Sequence, residues 1–300
     1  MGLAEDRFSI VVIPDTQILA ANHPSCYVTM AEWIRSHAAE LNVRMILHLG
    51  DVVHHGAERE EEFIAAQKAF DLLHEAGLPV MIAPGNHDYD NLVKQDRSLT
   101  MFNRYFGVHR YAGSPWFAGT FEDGRVENSY SVLDIGGEPY LFMALEFGAR
   151  DEVLAWADSV LSAHSQHKAI IITHCYMYIH GERTKTGDAH NPKDYPGAVG
   201  ANDGEDMWQK TFRKHGNLLA VFSGHHLGAN VSWRIDRGDC GNRVFQSFQN
   251  WQSTENGGEG RLRIFSIFPS ERKMRINVCN PCTNTFETGE GCEVELDLEY

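Results

Sequence analysis

The sequence predicts an α/β fold in which two mixed β-sheets stack face to face and are flanked by helices, a four-layer α/β/β/α sandwich. Three observations predict it. The first half of the 300-residue chain alternates short apolar runs with stretches of helical spacing, whereas everything after Asn230 reads as strands. Short, near-continuous apolar runs are what strands buried on both faces look like. Five of these runs stop abruptly, and the next residues are Asp, Asn, Gln or His. In an open α/β sheet, ligands collect outside the carboxyl ends of the strands, so the five ends would converge on one edge.

In chain order, Phe8–Ile13 is a strand that runs into Pro14-Asp15-Thr16-Gln17. A helix follows over Ser25–Glu40, with Met30, Trp33, Ile34 and His37 at helical spacing. Arg44–Leu49 is the next strand and runs into Gly50-Asp51. Glu60–Ala76 places Phe63, Ala66, Phe70 and Leu73 on one helix face, and the carboxylates of 58–62 suit the positive end of that helix. Val80–Ala83 then runs into Pro84-Gly85-Asn86-His87-Asp88. Strands joined through helices are wired in parallel. Val126–Val132, a Gly136-Gly137 turn and Pro139–Leu145 predict a hairpin, and Asp151–Ala163 a helix. Ala169–Thr173 runs into His174, and the polar segment Tyr176–Asp203 has no period. Loops that long are commonly functional or mobile. Gly204–His215 reads as helix, and Leu218–Ser223 runs into Gly224-His225-His226. Strands are predicted at Val231–Ile235, Arg243–Phe248, Leu262–Phe268, Met274–Val278 and Cys292–Leu298. With no repeat or linker, residues 1–300 read as a single domain whose β-rich part, 230–300, completes the second sheet.

A formal charge of −15 argues against binding nucleic acid or an anionic membrane through a basic face. Anionic substrates stay open, because bound cations would set the local field. No apolar run reaches the roughly 18 residues of a membrane span. Met1–Arg7 lacks a signal-peptide core. The expectation is a soluble protein, cytoplasmic or secreted with its leader removed. Among the six cysteines, Cys279, Cys282 and Cys292 leave three readings open: reduced thiols, a disulfide, or a zinc site short of ligands.

The series Asp15-Thr16-Gln17, Gly50-Asp51, Gly85-Asn86-His87-Asp88, His174 and Gly224-His225 resembles the calcineurin-like metallophosphoesterase superfamily, over roughly residues 8–227. The order and strand-end placement of several short motifs carry the resemblance; any one alone means little. The resemblance implies the metallo-dependent phosphatase fold and a phosphoesterase, with a phosphodiesterase or broad phosphoesterase favoured. It implies two divalent ions about 3.5–4 Å apart, bridged by Asp51. Asp15, Gln17 and Asp51 would hold the first; Asp51, Asn86, His174 and His225 would hold the second. A hydroxide shared by the ions would attack the phosphorus of a small phosphoester substrate. His87 would protonate the leaving oxygen, and Asp88 would orient the His87 imidazole.

The chain departs from the family pattern at Leu227, where a second imidazole is expected, and Gln17 stands where His is commoner. The first site is thereby left with oxygen ligands, which favour hard ions such as Mn²⁺ or Mg²⁺ over Zn²⁺; two divalent ions are expected, Mn²⁺ first, with Mg²⁺, Fe and Zn²⁺ left open. Three readings stay open: a weak site filled only with substrate, His226 turned inward, or another loop side chain completing it. His54 or His55 could line the mouth of the site, and His180 or His190 could touch substrate. Segments 88–111 and 176–203 would shape the pocket. A different class of function also stands: a catalytically weak one-metal protein that binds a phosphorylated or carbohydrate ligand. A third changes the bond to a phosphonate or sulfate ester.

Overall fold

The computed structural model describes residues 7–289 and 291–298, so most of the Met1–Arg7 segment lies outside the described residues. Strand β1 (Phe8–Ile13) is followed by α1 (Gln17–Asn22) and α2 (Pro24–His37), then β2 (Val43–His48), α3 (Glu60–Glu75) and β3 (Val80–Ile82). After α4 (Thr100–Phe106) come β4 (Phe117–Thr120), β5 (Ser129–Ile135), β6 (Glu138–Leu145), α5 (Asp151–Ala163) and β7 (Lys168–Thr173). Then follow α6 (Gly204–Lys210), β8 (Leu218–Ser223), β9 (Val231–Arg237) and β10 (Arg243–Gln249). The tail adds β11 (Leu262–Phe268), β12 (Lys273–Asn280), β13 (Thr285–Glu287) and β14 (Glu293–Asp297).

One sheet runs β13-β12-β11-β1-β2-β3, with β14 sharing the outer edge of β12; the other runs β4-β5-β6-β7-β8-β10-β9. β1, β2 and β3 pair in parallel, as do β6, β7, β8 and β10. The tail therefore does not all complete the second sheet, as its β pattern predicts. β9 and β10 do, but β11 crosses over and pairs antiparallel with β1, Phe8 opposite Ile267. The open edge of β1 needs covering. Only a strand apolar on both faces fits there, because Phe265 and Ile267 join one core and Leu262 and Ile264 another.

Alternation within β1 divides the layers. Phe8, Ile10 and Val12 enter the core between the sheets, while Val11 and Ile13 pack with α2 and α3. Across the sheets, Phe8 meets Tyr140 with ring centroids 5.5 Å apart, and Phe222 meets Phe265 at 4.6 Å. A third core joins β6, β7 and β8 to α5 and α6. The architecture is the expected α/β/β/α sandwich. The helices α1 and α4 and the strands β4 and β13 have no counterpart in the sequence reading, because each is too short to show a period. All six cysteines are free thiols, and among the described residues no group of ligand side chains includes Cys279, Cys282 or Cys292. Among those residues no helix is long and apolar enough to cross a membrane.

Truncating a ring at the inter-sheet seam removes contact from both sheets at once. Phe222→Ala should therefore cost about 3–5 kcal/mol, seen as a lower denaturant midpoint at unchanged slope.

Candidate metal centre

The parallel strands of both sheets end at the same edge. β1, β2 and β3 deliver Asp15 with Gln17, Asp51, and Asn86 with His87; β7 and β8 deliver His174 and His225. Ligand-capable atoms of Asp51, His174 and His225 lie within 4.8 Å of one another, all buried. Asp51 and His225 adopt positive φ, 51° and 77°. Such strain persists where surrounding structure over-determines it, and it clusters at functional sites. Two glycines make the close approach feasible. A Cβ on Gly85 would lie 2.1 Å from Asp51 Oδ1, and one on Gly224 would lie 2.1 Å from Asp15 Oδ1.

Each imidazole is fixed by its other nitrogen. His174 Nδ1 donates to the Leu49 carbonyl at 2.8 Å, which turns Nε2 to within 3.2 Å of Asp51 Oδ2. His225 Nε2 donates to the His190 carbonyl at 2.9 Å and leaves Nδ1 as an acceptor. Asp51 Oδ1 accepts the His87 backbone N–H at 2.9 Å. Asp15 accepts the His225 N–H at 3.2 Å and the Asn250 amide at 2.9 Å. Phe147 backs the imidazoles, 5.7 Å from His174 and 5.1 Å from His225 between centroids.

The donor set fits cations on one observation above others. Gln17 Oε1 and Asn86 Oδ1 are buried with no hydrogen-bond partner, and His174 Nε2 has only the Asp51 carboxylate beside it. Buried polar atoms are rarely left this way, and each exception needs an explanation. All three are atoms that sequence reading assigns to metal ions.

The electrostatics agree. Burial pushes Asp15 up to about 7, against the pull of His174 and with added repulsion from Asp51. Burial also opposes ionisation of Asp51, but His174 and His87 outweigh it and hold its carboxyl below the usual range. His174 would be lowered by burial, yet Asp51 and Asp15 raise it to about 9. Burial, with His226 and His174 beside it, keeps His225 well below its ordinary value and neutral. Buried carboxylates with a neutral imidazole suit a divalent cation.

Three expectations need correction. Asp88 does not hold the His87 ring. It is fully buried, and its carboxylate accepts the N–H groups of Val52, Val53 and Gly85 at 2.9, 3.1 and 2.7 Å. The 3-10 turn 86–88 points the two side chains apart, so the His54 carbonyl takes the His87 Nδ1–H instead, at 2.7 Å. His226 does not turn into the first site: its Nε2 lies 3.0 Å from Thr184 Oγ1 and 3.3 Å from Cys175 Sγ. Segment 88–111 contributes no lining residue to the cleft, which is bounded by Asp51, Asn86, His87, His190, Tyr195, His225, Leu227 and Gln252.

Of the weaker candidates, His54 stacks on His87 at 4.9 Å, whereas His55 is tied to Glu62 at 2.6 Å. His190 lines the cleft; His180 lines a separate surface cavity beside Trp233. Sequence reasoning missed Asn250 and Gln252. They stand just past β10, so the strand-end rule that found the others would have found them, had Asn and Gln been weighed there.

The family model described as calcineurin-like phosphoesterase matches residues 8–228. The chain is 25% identical over 308 residues to the uncharacterized protein YvnB of Bacillus subtilis (strain 168), matching 99% of this chain. The chain spans only 22% of that relative's length. It is similar in structure to a dimetal phosphatase from Danio rerio (TM-score 0.60, 10% identity, 97% of this chain and 99% of the other). It is also similar to a purple acid phosphatase from yellow lupin (Lupinus luteus) seeds, with TM-score 0.59 and 13% identity, over 98% of this chain and 54% of the other. At such identities the structural likeness speaks for the fold alone.

A carboxyl raised by folding lowers stability above its unfolded value, and the penalty grows until the folded value is passed. In metal-free protein, Asp15→Asn should therefore gain stability relative to the parent as pH rises from about 4 to about 7. Denaturant unfolding in chelator across that range checks it; a pH-independent difference would contradict the raised Asp15 carboxyl.

Proposed function

Because the chain belongs to the calcineurin-like phosphoesterase family, we propose that it is a metal-dependent hydrolase of small phosphoesters, a phosphodiesterase or broad phosphoesterase. The observation that carries the reading is a pair of partnerless buried amide oxygens, Gln17 Oε1 and Asn86 Oδ1, on the strand ends that also bring Asp51, His174 and His225 together. Asp15, Gln17 and Asp51 would hold one cation, and Asp51, Asn86, His174 and His225 the other. Bound divalent ions, Mn²⁺ by preference, would supply charge neutralisation for the phosphoryl oxygens and acidify a nucleophilic water.

The remaining steps fall to this chain's side chains. His87 is the general acid. Its Nδ1–H is committed to the His54 carbonyl, so Nε2 is the nitrogen free to pass a proton to the leaving oxygen. The same hydrogen bond and the stacked His54 ring fix its orientation. Asp88 is a positioning residue: by accepting N–H groups on both sides it clamps the Asp51 loop to the Asn86 turn. Asn250 and the His225 N–H orient Asp15.

The test is metal content by elemental analysis on protein purified without chelator, paired with hydrolysis of bis(p-nitrophenyl) phosphate with and without Mn²⁺. About two ions per chain with turnover supports the hydrolase. One ion and no turnover above the Mn²⁺ blank would favour a binding protein instead. Matched aryl phosphate, phosphonate and sulfate substrates then fix the bond cleaved.

Two variants sharpen it. Asp51→Asn should abolish turnover and lower metal content together. His87→Ala should keep the metals and cut turnover by about 10²–10⁴, with a smaller loss as the leaving group becomes more acidic. An equal loss on all leaving groups would remove the acid role.

A further inference from the structure

The sheet edge carries further atoms with the signature of the assigned ligands, and one of them opens on the cleft. Gln252 lines the cleft beside Asp51, Asn86 and His225, and its Oε1 is buried without a partner, as are Gln17 Oε1 and Asn86 Oδ1. We infer that Gln252 Oε1 is a ligand of the cation held by Asp15 and Gln17, completing that site with oxygen where Leu227 offers nothing. The inference rests on the metal-centre reading above.

Placement supports that side of the centre. Gln252 follows β10 by three residues, and the Asn250 between them is bonded to Asp15 at 2.9 Å. The loop beyond packs on the helix that carries Gln17: a Cβ on Gly257 would lie 2.7 Å from Ile18. Gln252 is itself held in place, its backbone N–H donating to Asn250 Oδ1 at 2.9 Å. It is thus tethered through Asn250 to Asp15 and, through its loop, to the turn that bears Gln17.

Other candidates for the same role are occupied or held elsewhere. His226 Nε2 is engaged by Thr184 and Cys175. Asn250 uses its amide nitrogen on Asp15 and its oxygen on the Gln252 N–H. Gln249 also has a partnerless Oε1, but its nitrogen is fastened to the Val12 carbonyl, which pins its amide to β1 rather than leaving it on the loop that packs against α1. Leu227 is 47% exposed at the lip of the cleft and has no donor atom. With Asp15, Gln17, Asp51 and Gln252 the site is all oxygen, a set that selects hard ions such as Mn²⁺ or Mg²⁺ over Zn²⁺.

The test measures Mn²⁺ binding to the full chain after chelator treatment, without substrate, by calorimetry and by the electron paramagnetic resonance of free Mn²⁺. The parent should bind two ions. Gln252→Ala should keep one affinity and weaken the other by at least about tenfold, roughly the low end of what loss of a residue supporting a metal costs. Gln252→Glu, which keeps an oxygen and adds charge, should bind the second ion at least as tightly as the parent. Circular dichroism and melting checks that both variants fold. If Gln252→Ala binds both ions with parental affinities, the ligand role is overturned, even where its turnover falls; Gln252 would then be a substrate contact. If Gln252→Ala fails to fold, Gln252→Glu decides alone: a weaker second ion overturns the inference. Loss of both ions in Asp51→Asn, with no change in Gln252→Ala, would leave the metal centre standing and remove only Gln252 from it.

Discussion

The Asp51 carboxylate is the constraint on which the rest of the site depends. One oxygen accepts the His87 N–H, and the other stands 3.2 Å from His174 Nε2. These contacts tie the end of β2 to the turn after β3 in one sheet and to the end of β7 in the other. The residue can reach both only with positive φ and with no side chain at Gly85. A carboxylate that close to a buried imidazole must share either a proton or an ion with it. Without metal, the mutual shifts of Asp51 and His174 describe the first case. The partnerless oxygens of Gln17 and Asn86 fit the second, since a proton between Asp51 and His174 would leave both unsatisfied.

The two sheets contribute different chemistry. The first sheet supplies oxygen, from Asp15, Gln17, Asp51 and Asn86; the second supplies imidazole, from His174 and His225. The donor set therefore exists only while the sheets are stacked in register, and the aromatic seam of Phe8 with Tyr140 and Phe222 with Phe265 sets that register. This division also explains why the two proposed cation sites differ in character. Imidazole reaches only the second of them, which is mixed, whereas the first takes its oxygens from Asp15, Gln17 and Asp51 of the first sheet and, as inferred above, from Gln252 after β10 of the second.

Most of this was legible in the sequence because strands that end in ligand residues announce both the strand and its functional edge. Phe8–Ile13 and Leu262–Phe268 match the observed strands end for end, and Asp151–Ala163 the observed helix. What was not legible depends on partners distant in sequence. Asp88 follows His87 directly, and adjacency invited a pairing; the turn instead sends its carboxylate to backbone groups of 52, 53 and 85. The split of the tail between sheets was hidden for a similar reason. Apolar alternation says that β11 is buried on both faces, but not beside which strand. Gln252 was missed because an amide in a loop is ordinary until its oxygen is seen to lack a partner.

Burying this centre works against the stability of the chain that carries it. Asp15 is lifted to about 7 chiefly by desolvation, so up to neutral pH the metal-free fold keeps a proton on a carboxyl that would be ionised in water. His48 shows the opposite solution nearby. Burial lowers it to about 3, and its neutral ring accepts the Gly50 N–H at 3.1 Å and donates to Thr16 Oγ1 at 2.9 Å. The loops around the centre are thus braced by a neutral network, while the centre itself gathers buried carboxylates. A cation that binds only the folded state offsets that cost by mass action, about 2.7 kcal/mol at a hundred times its dissociation constant. Folding and metal binding would then be one equilibrium, and substitutions at the strand ends would act on both at once.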